Sequence, residues 1–343
     1  MHKVINCTNE ALLKKLDEKF ISPLMQLILH SKKESVSLLT SSYYLGQADA
    51  QKKILDTGLA QIAISGTRPK KGKKKPAVKL KEYCESIANK NSLKDIEKAI
   101  KIFSDQKNKI STGDYSLKVE SVTPLIHQLF VDILYVKLFD NKNIWKAVSG
   151  KEFDRNTFHE NFKGDNQGLT ICPYCDLDTI ISKGTHEVEH FLPKSKYPLI
   201  SLYFGNLFSA CVGCNKPAGK GGNSVDKVAN PYCVEIGERV SFEFFSSKKS
   251  ISIFSNPPDG HIDGYIELIN LKVRYSDKSV WDYFEKRKKA LHESIQKQKF
   301  LDLTTLQEYI MVEQDGIPLK YAMKFWAKLE PAYIKAPLSI TGP

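Results

Sequence analysis

The chain has 343 residues, of which 41% are hydrophobic and 26% charged, and its formal charge is +12. These are the proportions of a globular protein; no run of 18 apolar residues offers a membrane span, and the opening MHKVINCTNEALLKKLDEKF turns polar too early for a secretory signal. The positive excess suits a polyanionic partner without identifying one.

Residues 8–30 are predicted to form an amphipathic helix, because Leu12, Leu16, Phe20, Leu24 and Ile28 recur at every fourth position. Thr8 can cap its start, and Pro23 should kink or split it. A second helix is expected over 92–103, with Ser92 and Asp95 spaced as a capping box. A third should run from Thr123–Pro124 to Phe139, apolar nearly all round and therefore buried. Before the second helix, 68–81 reads RPKKGKKKPAVKLK: eight of fourteen residues are Lys or Arg, and two prolines and a glycine make it an exposed loop. Such a loop is either a tether for a phosphate backbone or simply solvated charge.

From 140 to 170 the chain is polar and loop-like, and from 171 to about 230 Gly, Asn, Cys and Pro concentrate as in a small metal-stabilised unit closed by Asn230–Pro231. Beyond it, Val240/Phe242/Phe244 and Ile251/Ile253 alternate as strands, and Tyr265–Leu271 is expected to add a third. Ser279–Leu301 should be a basic helix with Val280, Phe284, Leu291 and Ile295 on one face, followed by two shorter helices. The class is α+β: a mostly helical domain over 1–160, a metal-stabilised module over 161–232 and a small α+β extension over 233–343.

Four of the seven cysteines form two C-x-x-C pairs, Cys172/Cys175 and Cys211/Cys214, 35 residues apart. A secreted disulfide framework would be dispersed; paired thiols behind an opening that does not read as a secretory signal point to metal ligation in a reducing compartment, expected to be the cytoplasm. Four thiolates suit one tetrahedral Zn²⁺ and leave no open position, so this zinc is structural. Gly213, inside the second pair, is expected to permit the tight turn of a knuckle.

Between and beside the pairs stand Glu189–His190, Asn206–Leu207 and Asn215. The elements E-H-F-L-P-K-S, N-L-x-x-x-C-x-x-C-N and the preceding C-P-Y-C agree in order and spacing with the HNH, or ββα-metal, nuclease family, which this stretch of about 60 residues resembles. The resemblance implies phosphodiester hydrolysis with 5′-phosphate and 3′-hydroxyl ends. His190 would be the general base, since neutral imidazole suits proton transfer near pH 7. Asn206 would sit across from it and fix its tautomer. Glu189 and Asn215 would each give an oxygen to Mg²⁺ or Mn²⁺, which favour hard ligands, and the ion would act on the phosphate and the leaving oxygen. Lys194, Lys196, Lys216 and Lys220 would contact phosphates, although solvated lysines are commoner; His186 would be peripheral.

Two departures from the family stand out. The residue before the histidine is commonly Asp, whereas here it is Glu189, with Glu187 on the same strand face able to share its role. Asp176 follows the first knuckle where glycine is frequent, and Asp tolerates the left-handed geometry.

Residues 186–190 also spell H-E-V-E-H, the zinc metalloprotease string, but that motif works only on a helix. Gly184, Thr185, Val188, Pro193 and Pro198 favour extended backbone, and a protease would not explain the cysteines and asparagines. The phrasing further resembles bacterial HNH proteins of anti-phage defence, of the Septu nuclease-subunit and retron-associated types. That implies a partner protein such as an ATPase; double-stranded DNA is the expected substrate. The competing class is a zinc-knuckle nucleic-acid-binding module without catalysis, which would not need Glu189, His190 and Asn215.

Overall fold

The structure, a computed structural model, describes residues 1–63, 77–182, 184–216, 226–298, 304–305, 308–309 and 317–330. It is mostly helical, with two-stranded sheets as its β-structure among the described residues. No described helix is long and apolar enough to cross a membrane. The chain groups into two compact units that are not consecutive in sequence. The helical unit is Asn6–Asp165 with Val188–Phe208; the knuckle unit is Met1–Ile5, Asn166–Glu187 and Ser209–Pro343. The stretch 161–232 is therefore shared between them.

In the helical unit, α1 (Cys7–Leu16) starts without the expected cap: Asn6 holds the N-cap position with no side-chain bond. Thr8 instead turns to Asp165, giving its N–H at 2.8 Å and its Oγ1 at 2.7 Å. Proline lacks an N–H and crowds the carbonyl four residues back. Ahead of Pro23 the backbone widens into a π-helical turn over Asp17–Ile21, α2 (Ser22–Glu34) follows, and the Lys19 carbonyl accepts Gln51 Nε2 at 2.7 Å. After α3 (Ser42–Leu45) and α4 (Asp49–Leu59), β1 (Ile62–Ala63) pairs antiparallel with β2 (Val78–Lys79). Of the basic stretch 68–81, residues 68–76 lie outside the described residues; 78–81 is not loop but β2 and the first turn of α5 (Leu80–Lys90). The Ser92/Asp95 capping box forms as expected at the head of α6 (Leu93–Ser111).

The buried third helix begins at Pro124 as α7 (Pro124–Gln128), but most of it, Leu129–Leu138, is π-helical. The stretch 140–170, expected to be loop-like, instead holds two short helices, α8 (Lys142–Ser149) and α9 (Arg155–Asp165), which bury Ile144, Trp145, Val148, Phe158 and Phe162. Helix α1 packs on α8 and α9, α2 on α5 and α6, and α4 on α8. Leu24, Ile28, Leu55, Leu80, Ile96, Phe130, Trp145 and Phe158 fill the core between them. Val188, Leu199, Leu202 and Leu207 join the same core, which anchors the second segment of this unit.

Two strands, β3 (His186–His190) and β4 (Leu207–Cys211), pair as a two-stranded sheet, and the chain changes unit within each. A one-turn helix, α10 (Val212–Asn215), follows β4.

In the knuckle unit, β5 (Val240–Phe245) and β6 (Ser250–Ser255) form the expected hairpin, with Phe242 opposite Ile253 and Phe244 opposite Ile251. The expected third strand is instead helical: α11 (Gly260–Leu268), capped by Asp259 accepting the His261 N–H at 2.8 Å, and α12 (Leu271–Tyr275). Ile262, Tyr265, Ile266 and Ile269 are buried at helical spacing. Asn270, left-handed at φ 56°, separates the two helices. The basic helix is α13 (Lys278–Gln298), burying Trp281, Phe284 and Leu291, and α14 (Lys320–Leu329) packs on it and on β5. Phe284 stacks on Phe244 with ring centroids 4.7 Å apart.

Candidate functional site

The four sulfurs of Cys172, Cys175, Cys211 and Cys214 are buried and lie within 4.8 Å of one another. Cys172 and Cys214 sulfurs are 3.8 Å apart, as are those of Cys175 and Cys211. A tetrahedron with zinc–sulfur bonds of about 2.3 Å has edges of about 3.8 Å. Backbone N–H groups already address two of them, Cys211 to the Cys172 sulfur at 3.3 Å and Leu177 to that of Cys175 at 3.4 Å. The four cysteines can thus hold a metal ion such as zinc. No second group of three or more His, Cys, Asp or Glu side chains converges in this way among the described residues.

The knuckles are held by groups with no signal in the local sequence. Tyr265 Oη donates to the Tyr174 carbonyl at 2.6 Å and Tyr275 Oη to that of Cys175 at 3.0 Å, so α11 and α12 grip the first knuckle. Arg274 of α12 gives Nη1 to the Cys214 sulfur at 2.8 Å and Nη2 to Asp178 at 2.7 Å. Burial opposes its charge, but the surrounding cysteine sulfurs outweigh that and raise its pKa above the usual guanidinium value. Gly213 has no left-handed backbone. It is small for another reason: a Cβ there would meet Asp178 Oδ2 at 2.8 Å and Arg274 Nη2 at 3.1 Å.

Asp176 is left-handed at φ 58°, as its side chain permits, and it is fully buried. Its carboxylate meets His2 Nε2 at 3.0 Å and accepts the Tyr321 N–H at 3.0 Å, while its carbonyl accepts the Leu319 N–H at 2.7 Å. It therefore ties the start of the chain and the head of α14 to the knuckle.

In the helical unit, β3 delivers Val188, Glu189 and His190, all buried. His190 Nε2 lies 3.0 Å from the Ser201 carbonyl. A carbonyl can only accept, so Nε2 carries the proton and Nδ1 the lone pair. Burial first, and then the charges of Lys194 and Arg155, pull its pKa down to about 3, so the ring is neutral at pH 7. The tautomer is thus set by Ser201, not by Asn206 as expected. Asn206, itself fully buried, has another task. Its Oδ1 accepts the Leu192 N–H at 2.7 Å, and its Nδ2 donates to the carbonyls of Leu192 at 3.1 Å and Ile200 at 3.4 Å. It closes the loop between β3 and β4 from inside, because a buried amide must satisfy both its ends.

Lys194 stands with its ammonium 4.4 Å from the centre of the Tyr135 ring, and Lys196 is half-buried nearby in sequence. In the knuckle unit, Asn215 Nδ2 donates to the Glu187 carboxylate, and both residues are exposed. The structure thus brings Glu187 and Asn215 together. Lys216 is exposed, and Lys220 lies outside the described residues. His186 reaches the Ile180 carbonyl with Nδ1 at 3.2 Å. H-E-V-E-H is extended strand, which removes the helical geometry the protease string needs.

No family model matches the chain, and no solved structure matches it. A stretch of 60 residues, 18% of this chain, is 35% identical to the Septu protein PtuB of Bacillus thuringiensis. That stretch covers 23% of PtuB, so the likeness is local and spans under a quarter of the relative.

Proposed function

We propose that the chain is a metal-dependent HNH-type endonuclease that cuts double-stranded DNA and acts in a Septu-like anti-phage defence system with a partner protein. The observation that carries the reading is His190: an imidazole whose Nε2 proton is held by the Ser201 carbonyl, which makes Nδ1 the ring's basic nitrogen. It stands directly after Glu189 on β3 and within the sequence frame of the cysteine pairs. The local similarity to PtuB supports the defence context.

In this reading the cysteines hold a structural zinc, and Arg274 offsets part of the negative charge that four thiolates leave around a divalent ion. Glu189 and Asn215 would be the residues that give oxygens to Mg²⁺ or Mn²⁺. Glu187 would share that work, since the Asn215 amide nitrogen already points to its carboxylate and leaves the amide oxygen as a donor atom. Such an ion, when bound, would supply Lewis acidity toward the phosphate. His190 removes a proton from the attacking water through Nδ1, and Lys194 and Lys196 offset phosphate charge.

Plasmid nicking with Mg²⁺ tests this directly. Wild type should nick, and His190→Ala should lose at least about a hundredfold in rate, the usual contribution of a positioned base. Equal nicking by both proteins defeats the assignment. DNA binding without cleavage by wild type, with the partner present and across several divalent ions, returns the chain to a binding module.

A further inference from the structure

Tyr135 stands out among buried residues that the proposed chemistry does not use. It lies in the π-helical segment Leu129–Leu138 and is 6% exposed. Its ring centre is 4.3 Å from that of His190, edge to face at 61°. Its centre is also 4.4 Å from the Lys194 ammonium, and its hydroxyl donates to the Val188 carbonyl at 2.7 Å, two residues before His190. Ser201, whose carbonyl orients His190, donates its own hydroxyl to the Phe130 carbonyl of the same segment at 3.0 Å.

The segment is braced in turn. Arg155 gives Nη2 to the Tyr135 carbonyl at 2.8 Å, lies over the Tyr135 and Phe139 rings at 4.9 and 4.8 Å, and pairs with Asp140. Wide π-helical turns recur inside helices at functional positions, and this one aims one ring and two carbonyl bonds at a single strand and loop.

We infer that Tyr135 is a positioning residue: its ring is the platform that sets the His190 imidazole and the Lys194 ammonium side by side, with the hydroxyl pinning β3 beneath them. The inference rests on the endonuclease reading for its meaning, because the pair so placed is a base and a phosphate-neutralising cation. Its geometry stands without that reading. An aromatic face attracts a cation and presents its edge-accepting surface to an imidazole; an aliphatic side chain of similar bulk does neither. A core residue serving only as filler would lose stability in that exchange without changing the tautomer of the imidazole beside it.

The test uses the full chain in two measurements. The first is the ring-nitrogen NMR signature of His190, assigned by its absence in His190→Gln and recorded without divalent ion or DNA. Wild type and Tyr135→Phe should show one fixed tautomer protonated at Nε2, and Tyr135→Leu should show an averaged signal. The second is Mg²⁺-dependent nicking: Tyr135→Phe should stay within about fivefold of wild type, the effect of one lost hydrogen bond. Tyr135→Leu should lose about tenfold or more, in kcat more than in KM.

A folded Tyr135→Leu with the wild-type imidazole signature overturns the inference, and so does a Phe variant that behaves like the Leu variant. If wild type cuts nothing even with its partner present, the endonuclease reading fails while the imidazole signature still decides the role of Tyr135. Should Tyr135→Leu not fold, increasingly fluorinated phenylalanines at 135 replace it. A graded loss of the fixed signature supports the platform, and an unchanged one rules it out.

Discussion

His190 illustrates how burial chooses a protonation state. An exposed histidine titrates near 6.5, but removing the ring from water penalises its cation, and here Lys194 and Arg155 add to that penalty. As pH falls from 7, the unfolded chain takes up this proton at about 6.5 while the folded chain resists until about 3. Stability is therefore lost progressively across that window as the solution is acidified. Between pH 7 and pH 5 the wild type should lose about 2 kcal/mol more than His190→Gln. Denaturant unfolding at the two pH values measures this, and equal losses would show that the imidazole is not held neutral by its surroundings. Gly213 makes a related point about space: its missing Cβ lets Asp178 and Arg274 meet beside the Cys211 and Cys214 sulfurs.

Between β3 and β4 the chain makes a loop whose order depends on one amide. Asn206 serves the backbone of Leu192 at both its N–H and its carbonyl, and its own backbone carbonyl accepts the Phe191 N–H at 2.8 Å. Asn206→Ala would leave a buried N–H and two carbonyls short of a partner, a loss of about 2–3 kcal/mol. We expect that loss in the denaturant midpoint, together with reduced nicking. A variant as stable as wild type would mean that water replaces the amide. The helices α11 and α12 carry a different lesson. Tyr265, Arg274 and Tyr275 reach the knuckles only because the stretch from 260 to 275 is helical, and a strand would have spread them along one line.

Across the molecule, the fold is two compact units built from interleaved pieces of chain. The helical unit has a large aliphatic and aromatic core of its own. In the knuckle unit, Asp176 joins the earliest and latest described segments. Stripping the metal with a chelator, or Cys214→Ser, should release zinc and lower the melting temperature of the knuckle unit, while the helical signal of the other unit persists. Because thiolates must form to bind the ion, its affinity should fall as pH is lowered. Zinc absent from the purified protein by elemental analysis, or a chelator that leaves melting unchanged, would count against the metal centre.

What lies within a few residues along the chain was readable from the residues alone. The paired cysteines, the capping box at Ser92, the alternation of β5 and β6, the disruption at Pro23 and the left-handed Asp176 each depend on short-range spacing or on one residue's own backbone preference. Tertiary packing decided the rest. Short apolar runs such as Tyr265–Leu271 suit a buried helix or a strand equally, so neighbouring elements chose. The partners of Cys214, His190 and Asn206 include backbone carbonyls and an N–H, an arginine and a tyrosine, which have no distinguishing sequence pattern. Side chains at a site are oriented by whatever the fold packs against them, and contacts between Tyr135 and His190, 55 positions apart, exist only once the chain has closed on itself.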